Sequence, residues 1–222
     1  MQEKFRSDAV LVQKFKASLS QQRFSTYMRA HNNDEVGAIA IYQWNSRLSQ
    51  ALYIYLQTWE ICLRNKLNDF LSWKYNPSWP YDNSRAVRQL KNNDKKRLLE
   101  TIERQQRERK MSPVSTSAIV ADLSAGFWVS QLSSSYEIPY KWRHNVARVF
   151  PNEKTMDAAT AWKICDDLLT LRNRVAHHEP IFHLPLLDRR SELARMVAAM
   201  CDASSTFAEA TCNFASVWKD RP

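Results

Sequence analysis

Residues 38–73 read AIAIYQWNSRLSQALYIYLQTWEICLRNKLNDFLSW, and the spacing of their large apolar side chains decides the fold. These side chains recur every three or four positions, at Leu48, Leu52, Leu56, Trp59, Leu63, Leu67 and Phe70. An α-helix has about 3.6 residues per turn, so this spacing places them on one face. The stretch predicts a long amphipathic helix that lines the core, and Asn45 marks the point where it could break.

The composition favours an all-α protein. With 222 residues and 44% hydrophobic content, the chain can bury one good-sized core. It contains only 2 glycines, whereas sheet-rich proteins need glycine at hairpins, bulges and tight turns. We therefore expect helices joined by loops of Pro, Asn and Ser, such as the one predicted at Pro77 and Pro80.

Further helices are predicted on both sides of residues 38–73. Helical spacing recurs in five other segments: residues 4–30, residues 85–110, a segment from residue 115, residues 157–178 and residues 189–218. Residues 4–30 are predicted to form one helix or two short ones. We expect residues 1–30 to be an N-terminal helical extension. Residues 31–218 are expected to form one helical domain with a single core.

The helix over residues 157–178 is the most regular of these, and Pro180 predicts that it stops near His178. One face carries Ala161, Cys165, Leu168, Arg172 and Val175. A charge on an apolar face is costly without a partner, so Arg172 needs one. Glu60 borders the apolar stripe of the long helix and is our proposed partner for Arg172. Alternatively, Glu60 pairs with Arg64 one turn along its own helix.

The segment around Arg172 reads LRNRVAHHEPIF, residues 171–182. Asn173 and His177 are four apart and so share a helical face, and the long Arg172 side chain can converge on them. The negative end of the helix dipole favours a protonated His177. Such a cluster suits RNA cleavage without metal, in which the 2′-hydroxyl attacks, a histidine moves protons and an arginine holds the phosphate.

Two other interpretations of this segment remain open. Cationic residues favour helix C-termini, so HHEP at residues 177–180 could be an ordinary exposed cap. His183 and Glu179 lie near the paired histidines, but no recognised metal-ligand spacing appears, and we expect no metal and no cofactor. Because one histidine is few for both acid and base roles, a symmetric dimer would supply the second.

The charge distribution suggests a polyanionic partner. The formal net charge is +9, and residues 85–110 hold ten Lys or Arg against four acids, a net +6. This stretch predicts either an RNA-tracking helix or a solvated, charge-laced one. The candidate RNA-binding residues are Arg88, Lys91, Lys95, Lys96 and Arg97. The aromatic residues Trp73, Tyr75, Trp79 and Tyr81 could stack on unpaired bases, although packing within the protein is favoured.

The cysteines and the hydropathy pattern predict a cytoplasmic protein. The four cysteines show no CxxC pairing, no basic-then-apolar leader opens the chain, and we expect a reducing environment. No apolar run approaches the roughly 18 residues that a membrane span requires. We therefore expect a soluble protein with no membrane partner.

Five separated blocks resemble one known family. They are LSQQRFSTYM at residues 19–28, IYQWNSRLSQAL at 41–52, WEICLRNKL at 59–67, LSAGFWVSQLSSSYE at 123–137 and LRNRVAHHEPIF at 171–182. Across residues 18–200 the chain resembles the Abi-like family, which is named after phage abortive infection and placed among HEPN domains. The resemblance implies an all-α fold built on a HEPN-type helical bundle, here with additional N-terminal and C-terminal helices, and frequent dimerisation.

The resemblance also implies site residues. The family signature is Arg, four to six residues, then His, which Arg172 fits with His177 and also with His178. We favour His177 because it shares a face with Asn173. The family's Glu-x-x-x-Arg-Asn element corresponds to Glu60, Arg64 and Asn65, which together with His178 form a supporting shell.

The function implied is a metal-independent endoribonuclease that acts as a homodimer in phage defence or toxin-like growth arrest. Its catalytic residues would be Arg172, Asn173 and His177. The alternative is a non-catalytic module of an abortive-infection or toxin–antitoxin system. Such a module would bind RNA or a partner, for example an antitoxin or a small RNA.

Overall fold

A computed structural model describes residue 5, residues 8–81 and residues 85–222. This part of the chain is helical and contains no strand, which confirms the all-α prediction. Its α-helices are α1 (Ala9–Leu19), α2 (Gln21–Ala30), α3 (Glu35–Lys74), α4 (Arg85–Gln89), α5 (Asn92–Arg109), α6 (Thr116–Asp122), α7 (Ala125–Ser130), α8 (Glu137–Tyr140), α9 (Trp142–Asn145), α10 (Ala158–Ala176), α11 (Leu186–Met200), α12 (Asp202–Thr211) and α13 (Phe214–Lys219). Two short 3₁₀ helices span Ser134–Tyr136 and Val146–Arg148. None of these described helices is both long enough and apolar enough to cross a bilayer.

The long helix α3 runs over 40 residues without the break predicted near Asn45. Asn45 is only 5% exposed, and its side-chain oxygen accepts hydrogen bonds from backbone groups elsewhere in the chain. A buried polar side chain is tolerated inside a helix when its hydrogen bonds are made. The interruption in the apolar stripe therefore marks a contact, and the prediction of a break there is wrong.

The N-terminal segment forms the two helices α1 and α2, which is one of the two alternatives predicted for it. Two other segments are divided more finely than the sequence indicated. Residues 189–218 are covered by the three helices α11, α12 and α13. The segment from residue 115 is split into α6 and α7, where the Ser124 side chain caps α7 by accepting from the Phe127 amide. Residues 1–4, 6 and 7 of the N-terminal segment and Asp82 of the predicted loop lie outside the described residues.

The first of two compact units comprises Met1–Ile54, Leu171–Arg190 and Thr211–Pro222. Its buried cluster consists of Val12, Phe24, Tyr27, Ala38, Ile39 and Ile41. Phe182 packs against this cluster, with its ring centroid 5.4 Å from that of Tyr27. The indole N–H of Trp44 donates to the Val217 carbonyl at 2.8 Å, which joins α13 to the same unit. The division at residue 30 into an extension and a domain stays a prediction.

The second unit comprises Tyr55–Thr170 and Ser191–Ala210, and aromatic side chains fill its core. The rings of Phe70 and Trp142 stack with centroids 4.6 Å apart. On α10, Ala161, Cys165 and Leu168 are fully buried, as their spacing predicted. Burial raises the pKa of the Cys165 thiol to about 12, so this thiol stays protonated and unreactive.

The basic segment forms two helices, α4 and α5, instead of the single helix predicted over residues 85–110. Asp94, in the first turn of α5, is 4% exposed. Its carboxylate accepts hydrogen bonds from the hydroxyls of Tyr136 at 2.7 Å and Ser130 at 2.8 Å, and from the Gln131 amide at 3.3 Å. A carboxylate at a helix N-terminus also meets the positive end of the helix dipole. Asp94 therefore attaches a strongly basic helix to the core.

We expect Asp94→Ala to lower the free energy of unfolding by about 2–4 kcal/mol, because it leaves buried donors without an acceptor. Urea unfolding followed by tryptophan fluorescence measures this change. Glu103→Ala removes an exposed acid from the same helix and should change the value by about 0.5 kcal/mol or less. Equal effects of the two variants would contradict the anchoring role of Asp94.

Candidate functional site

The candidate site lies at the C-terminal end of α10, in the first unit. Its helix ends at Ala176, two residues before the predicted stop. The Glu179 amide donates to the Arg174 carbonyl at 2.8 Å and the His178 amide donates to the Val175 carbonyl at 3.1 Å. These two bonds form a Schellman motif, which closes a helix through one left-handed residue. That residue is His178, with φ of 57°, in a position where glycine is usual.

The side chains of the Arg172 to His177 segment differ in exposure. Asn173 and His177 are exposed, and the His177 amide still donates to the Asn173 carbonyl at 2.9 Å. Arg172 is partly buried, because Leu171 occupies the buried position at the end of the apolar stripe. The Arg172 guanidinium donates to the Asn173 side-chain oxygen at 3.5 Å, the long limit for such a bond. The helix end thus presents an arginine, an amide and an imidazole within about one and a half turns.

The chain beyond the motif is held by residues of α2 and α3. The Asn45 side-chain oxygen accepts from the backbone N–H groups of Ile181 at 2.7 Å and Phe182 at 3.1 Å. The Arg23 guanidinium donates to the His178 carbonyl at 3.0 Å. Sequence reasoning assigned no role to Asn45 or Arg23, although both lie in blocks that carried the family resemblance. These contacts fix the backbone on which the two histidines sit.

A second arginine contributes positive charge to this turn. The Arg174 guanidinium donates to the Pro180 carbonyl at 3.3 Å and lies 4.0 Å from the Glu179 carboxylate. Burial and the charge of Arg174 lower the pKa of His183. His183 is therefore neutral at physiological pH, and the fixed cation near it is Arg174.

The predicted supporting residues Glu60, Arg64 and Asn65 lie on the part of α3 that belongs to the second unit. The Arg64 guanidinium donates to the Ala121 carbonyl at 3.4 Å. The pairing of Glu60 with Arg172, and its alternative with Arg64, both stay predictions. The supporting role of the Glu-x-x-x-Arg-Asn element is likewise a prediction.

The candidate RNA-binding residues all lie on α4, on α5 or just before α5, and all five side chains are exposed. Arg97 lies 3.4 Å from Asp94 and Lys96 lies 3.9 Å from Glu100. Arg88, Lys91 and Lys95 make no ion pair within the described ranges, and their charges are available to a ligand. This surface and the α10 end belong to different compact units.

Within the part of the chain that the structure describes, no group of three or more His, Cys, Asp or Glu side chains could hold a metal ion. That the protein needs no metal stays a prediction, and RNA cleavage in the presence of EDTA tests it.

The family model for Abi-like protein matches residues 10–183. The chain belongs to the Abi-like family. The match covers most of the chain, from α1 through the end of α10, and it includes Asn45, Arg23 and the Arg172 to His178 segment. No significant match was found among curated proteins or among solved structures.

We expect Asn45→Ala to loosen the chain beyond the motif, because two buried backbone N–H groups lose their acceptor. The free energy of unfolding should fall by about 2–4 kcal/mol, and amide hydrogen exchange should accelerate at Ile181 and Phe182. Mass spectrometry of deuterated peptides measures the exchange. Ser46→Ala changes the exposed neighbour on α3 and should leave the exchange at 181–182 unchanged. Unaltered exchange in Asn45→Ala would contradict the role given to this amide.

Proposed function

We propose that this Abi-like protein is a metal-independent endoribonuclease of the HEPN type that acts as a dimer. The observation that carries the proposal is the end of α10, where Arg172 contacts Asn173 and His177 lies exposed one turn further on. Membership in the Abi-like family indicates a role in abortive infection, a form of phage defence. RNA cleavage would produce the growth arrest on which such a defence depends.

The chemistry requires no group outside the protein and the RNA. The ribose 2′-hydroxyl attacks the neighbouring phosphorus, the bond from phosphorus to the 5′-oxygen breaks, and a 2′,3′-cyclic phosphate and a 5′-hydroxyl remain. His177 takes the proton of the attacking hydroxyl or gives one to the leaving oxygen. Arg172 stabilises the charge on the phosphate oxygens, and Asn173 orients the guanidinium through its side-chain oxygen.

The dimer follows from the proton count. The attacking hydroxyl loses a proton while the leaving oxygen gains one, and a single imidazole cannot do both at the same moment. Asn173 and His177 are exposed at the helix end, so a second copy can approach them. A two-fold axis would bring the same patch of both copies together and supply one His177 from each.

We expect the wild-type protein to cleave single-stranded RNA in the presence of EDTA, with His177→Ala about 10²–10⁴-fold slower because proton transfer is lost. Arg172→Ala should be similarly impaired. The reaction is followed by gel electrophoresis of an end-labelled RNA. Equal rates for the wild type and both variants would exclude the proposal.

The matched control is His178→Gly. Glycine adopts the left-handed conformation of residue 178 without strain, so the turn should be preserved while one imidazole is removed. Cleavage close to the wild-type rate identifies His177 as the catalytic histidine. Loss of cleavage in His178→Gly, with retention in His177→Ala, would assign that role to His178 instead.

A second candidate function is a non-catalytic RNA-binding module that retains a small RNA or an antitoxin. The exposed cations of α4 and α5, anchored by Asp94, favour it. We expect binding of labelled RNA to weaken with salt, because each phosphate contact releases a counterion. Reversing Lys95, Lys96 and Arg97 to Glu should reduce both the affinity and the slope of its salt dependence. Unchanged fluorescence anisotropy in this triple variant would remove the basis for this function.

A further inference from the structure

At the end of α3, the ring of Trp73 contacts the guanidinium of Arg148. Trp73 is 53% exposed, and the guanidinium carbon of Arg148 lies 3.5 Å from the centroid of its ring. The buried ring of Phe70 lies at 6.0 Å from the same centroid. Four aromatic residues of this region could stack on bases: Trp73, Tyr75, Trp79 and Tyr81. Trp79 is fully buried, Tyr75 and Tyr81 are partly buried, and Trp73 is exposed at the surface. At 3.5 Å from the Trp73 centroid, the guanidinium can only lie roughly parallel to the ring without a clash, and Arg148 is itself exposed.

Three further cations, Lys74, Arg85 and Lys141, lie near one another around the Tyr75 ring, whose centroid is 6.4 Å from that of Tyr140, the residue before Lys141. Lys74 is the next residue after Trp73, and its ammonium lies 5.8 Å from the Tyr75 ring centroid. Burial, and then the neighbouring charges of Lys141 and Arg85, lower the pKa of Lys74. Lys141 lies between the short helices α8 and α9 and has a left-handed backbone, with φ of 51°. Like charges held together are unfavourable unless an anion joins them.

Among the described residues, no carboxylate lies within ion-pair distance of these cations. Lys74, Arg85, Lys141 and Arg148 make no ion pair within residues 8–81 and 85–222, although acids elsewhere pair with Arg47, Arg104 and Arg195. All of these cations lie in the second unit. The group thus combines uncompensated positive charge with a flat, exposed guanidinium.

We infer that Trp73, Lys74, Arg85, Lys141 and Arg148, here named the Trp73 surface, form a binding site for single-stranded RNA. Lys74, Arg85 and Lys141 bind backbone phosphates, and an unpaired base stacks on the guanidinium of Arg148. The site is additional to the basic helix α5 and to the Arg172 to His177 segment. Only the choice of RNA over other single-stranded nucleic acid rests on the proposed function.

The stack favours a nucleic acid over an anionic membrane. Arg148 lies over one face of the Trp73 ring and the buried Phe70 ring lies beside it, so the indole is tied to a cation and is not free to insert among lipid chains, as interfacial tryptophans do. Arginine planes and aromatic rings are the surfaces on which proteins stack unpaired bases. Lysines bind phosphates as point charges without reading sequence. The Trp73 surface should therefore bind RNA with little sequence preference.

The test uses the full chain and a fluorescein-labelled 2′-O-methyl oligouridine of about 12 nucleotides, within the site sizes of single-strand binders. This probe has no free 2′-hydroxyl, so binding is measured without cleavage. We expect Lys74→Gln with Lys141→Gln to weaken binding at least tenfold at about 0.1 M salt, and to reduce the salt slope by about 1.4. The matched control is Lys154→Gln with Lys163→Gln, two exposed lysines of the same unit, and a change below threefold is expected.

Arg148→Lys tests the stack separately, because it keeps the charge and removes the planar group. We expect it to weaken binding about fivefold or more, the range of one base–side chain stack. The inference is overturned if the Lys74 and Lys141 variant matches its control. It is also overturned if that variant loses binding to phosphatidylserine vesicles while its RNA binding is unchanged. Unchanged binding in Arg148→Lys would overturn the stacking of a base on this residue.

The outcome is distinguishable from that of the proposed function. RNA cleavage by the wild type together with unchanged oligouridine binding in the Lys74 and Lys141 variant would refute the Trp73 surface alone. Specific loss of binding in that variant, with no cleavage of RNA by the wild type, would refute the nuclease alone. Thermal unfolding of each variant checks that the fold is retained.

Discussion

One side-chain oxygen on α3 determines where the candidate site sits in its unit. The amide of Asn45 accepts from the backbone N–H groups of Ile181 and Phe182, which directly follow the turn after Arg172 and His177. Buried N–H groups without an acceptor are costly, so these residues cannot leave α3 without a large penalty. The Arg23 contact to the His178 carbonyl holds the same turn from α2. Residues far from the motif in sequence therefore position it.

In the second unit, too, a buried side-chain acceptor fixes the position of a helix. Apolar burial is non-directional and cannot by itself orient a helix as basic as α5. The carboxylate of Asp94 accepts from Tyr136, Ser130 and Gln131 in directions that the donors set. Burial raises the pKa of Tyr136, so its hydroxyl stays protonated and donates to this carboxylate. The basic helix α5 is thus attached to the apolar core of the unit, as is the end of α3 that bears the Trp73 surface.

The sequence predicted the features that depend on local periodicity and missed those that depend on distant partners. Helix α10 was predicted within two residues because Pro180 and a regular apolar stripe define it. The break expected at Asn45 was wrong, because its partners lie 136 and 137 residues away in the chain. The division between α4 and α5 carries no Pro or Gly signal. The local sequence also does not distinguish the exposed Trp73 from the buried Trp79, because both residues lie among other aromatic residues. The pairing of Glu60 with Arg172 stays a prediction.

In the proposed mechanism the RNA 2′-hydroxyl is the nucleophile, and Arg172 and His177 act on the phosphate beside it. The most direct measurement is cleavage of two otherwise identical RNAs in EDTA, one of which carries a single 2′-deoxy nucleotide at the position cut in the other. We predict that the deoxy substitution abolishes cleavage at that position and that the unmodified RNA yields a 2′,3′-cyclic phosphate end. Cleavage at the substituted position at an unchanged rate would contradict the mechanism.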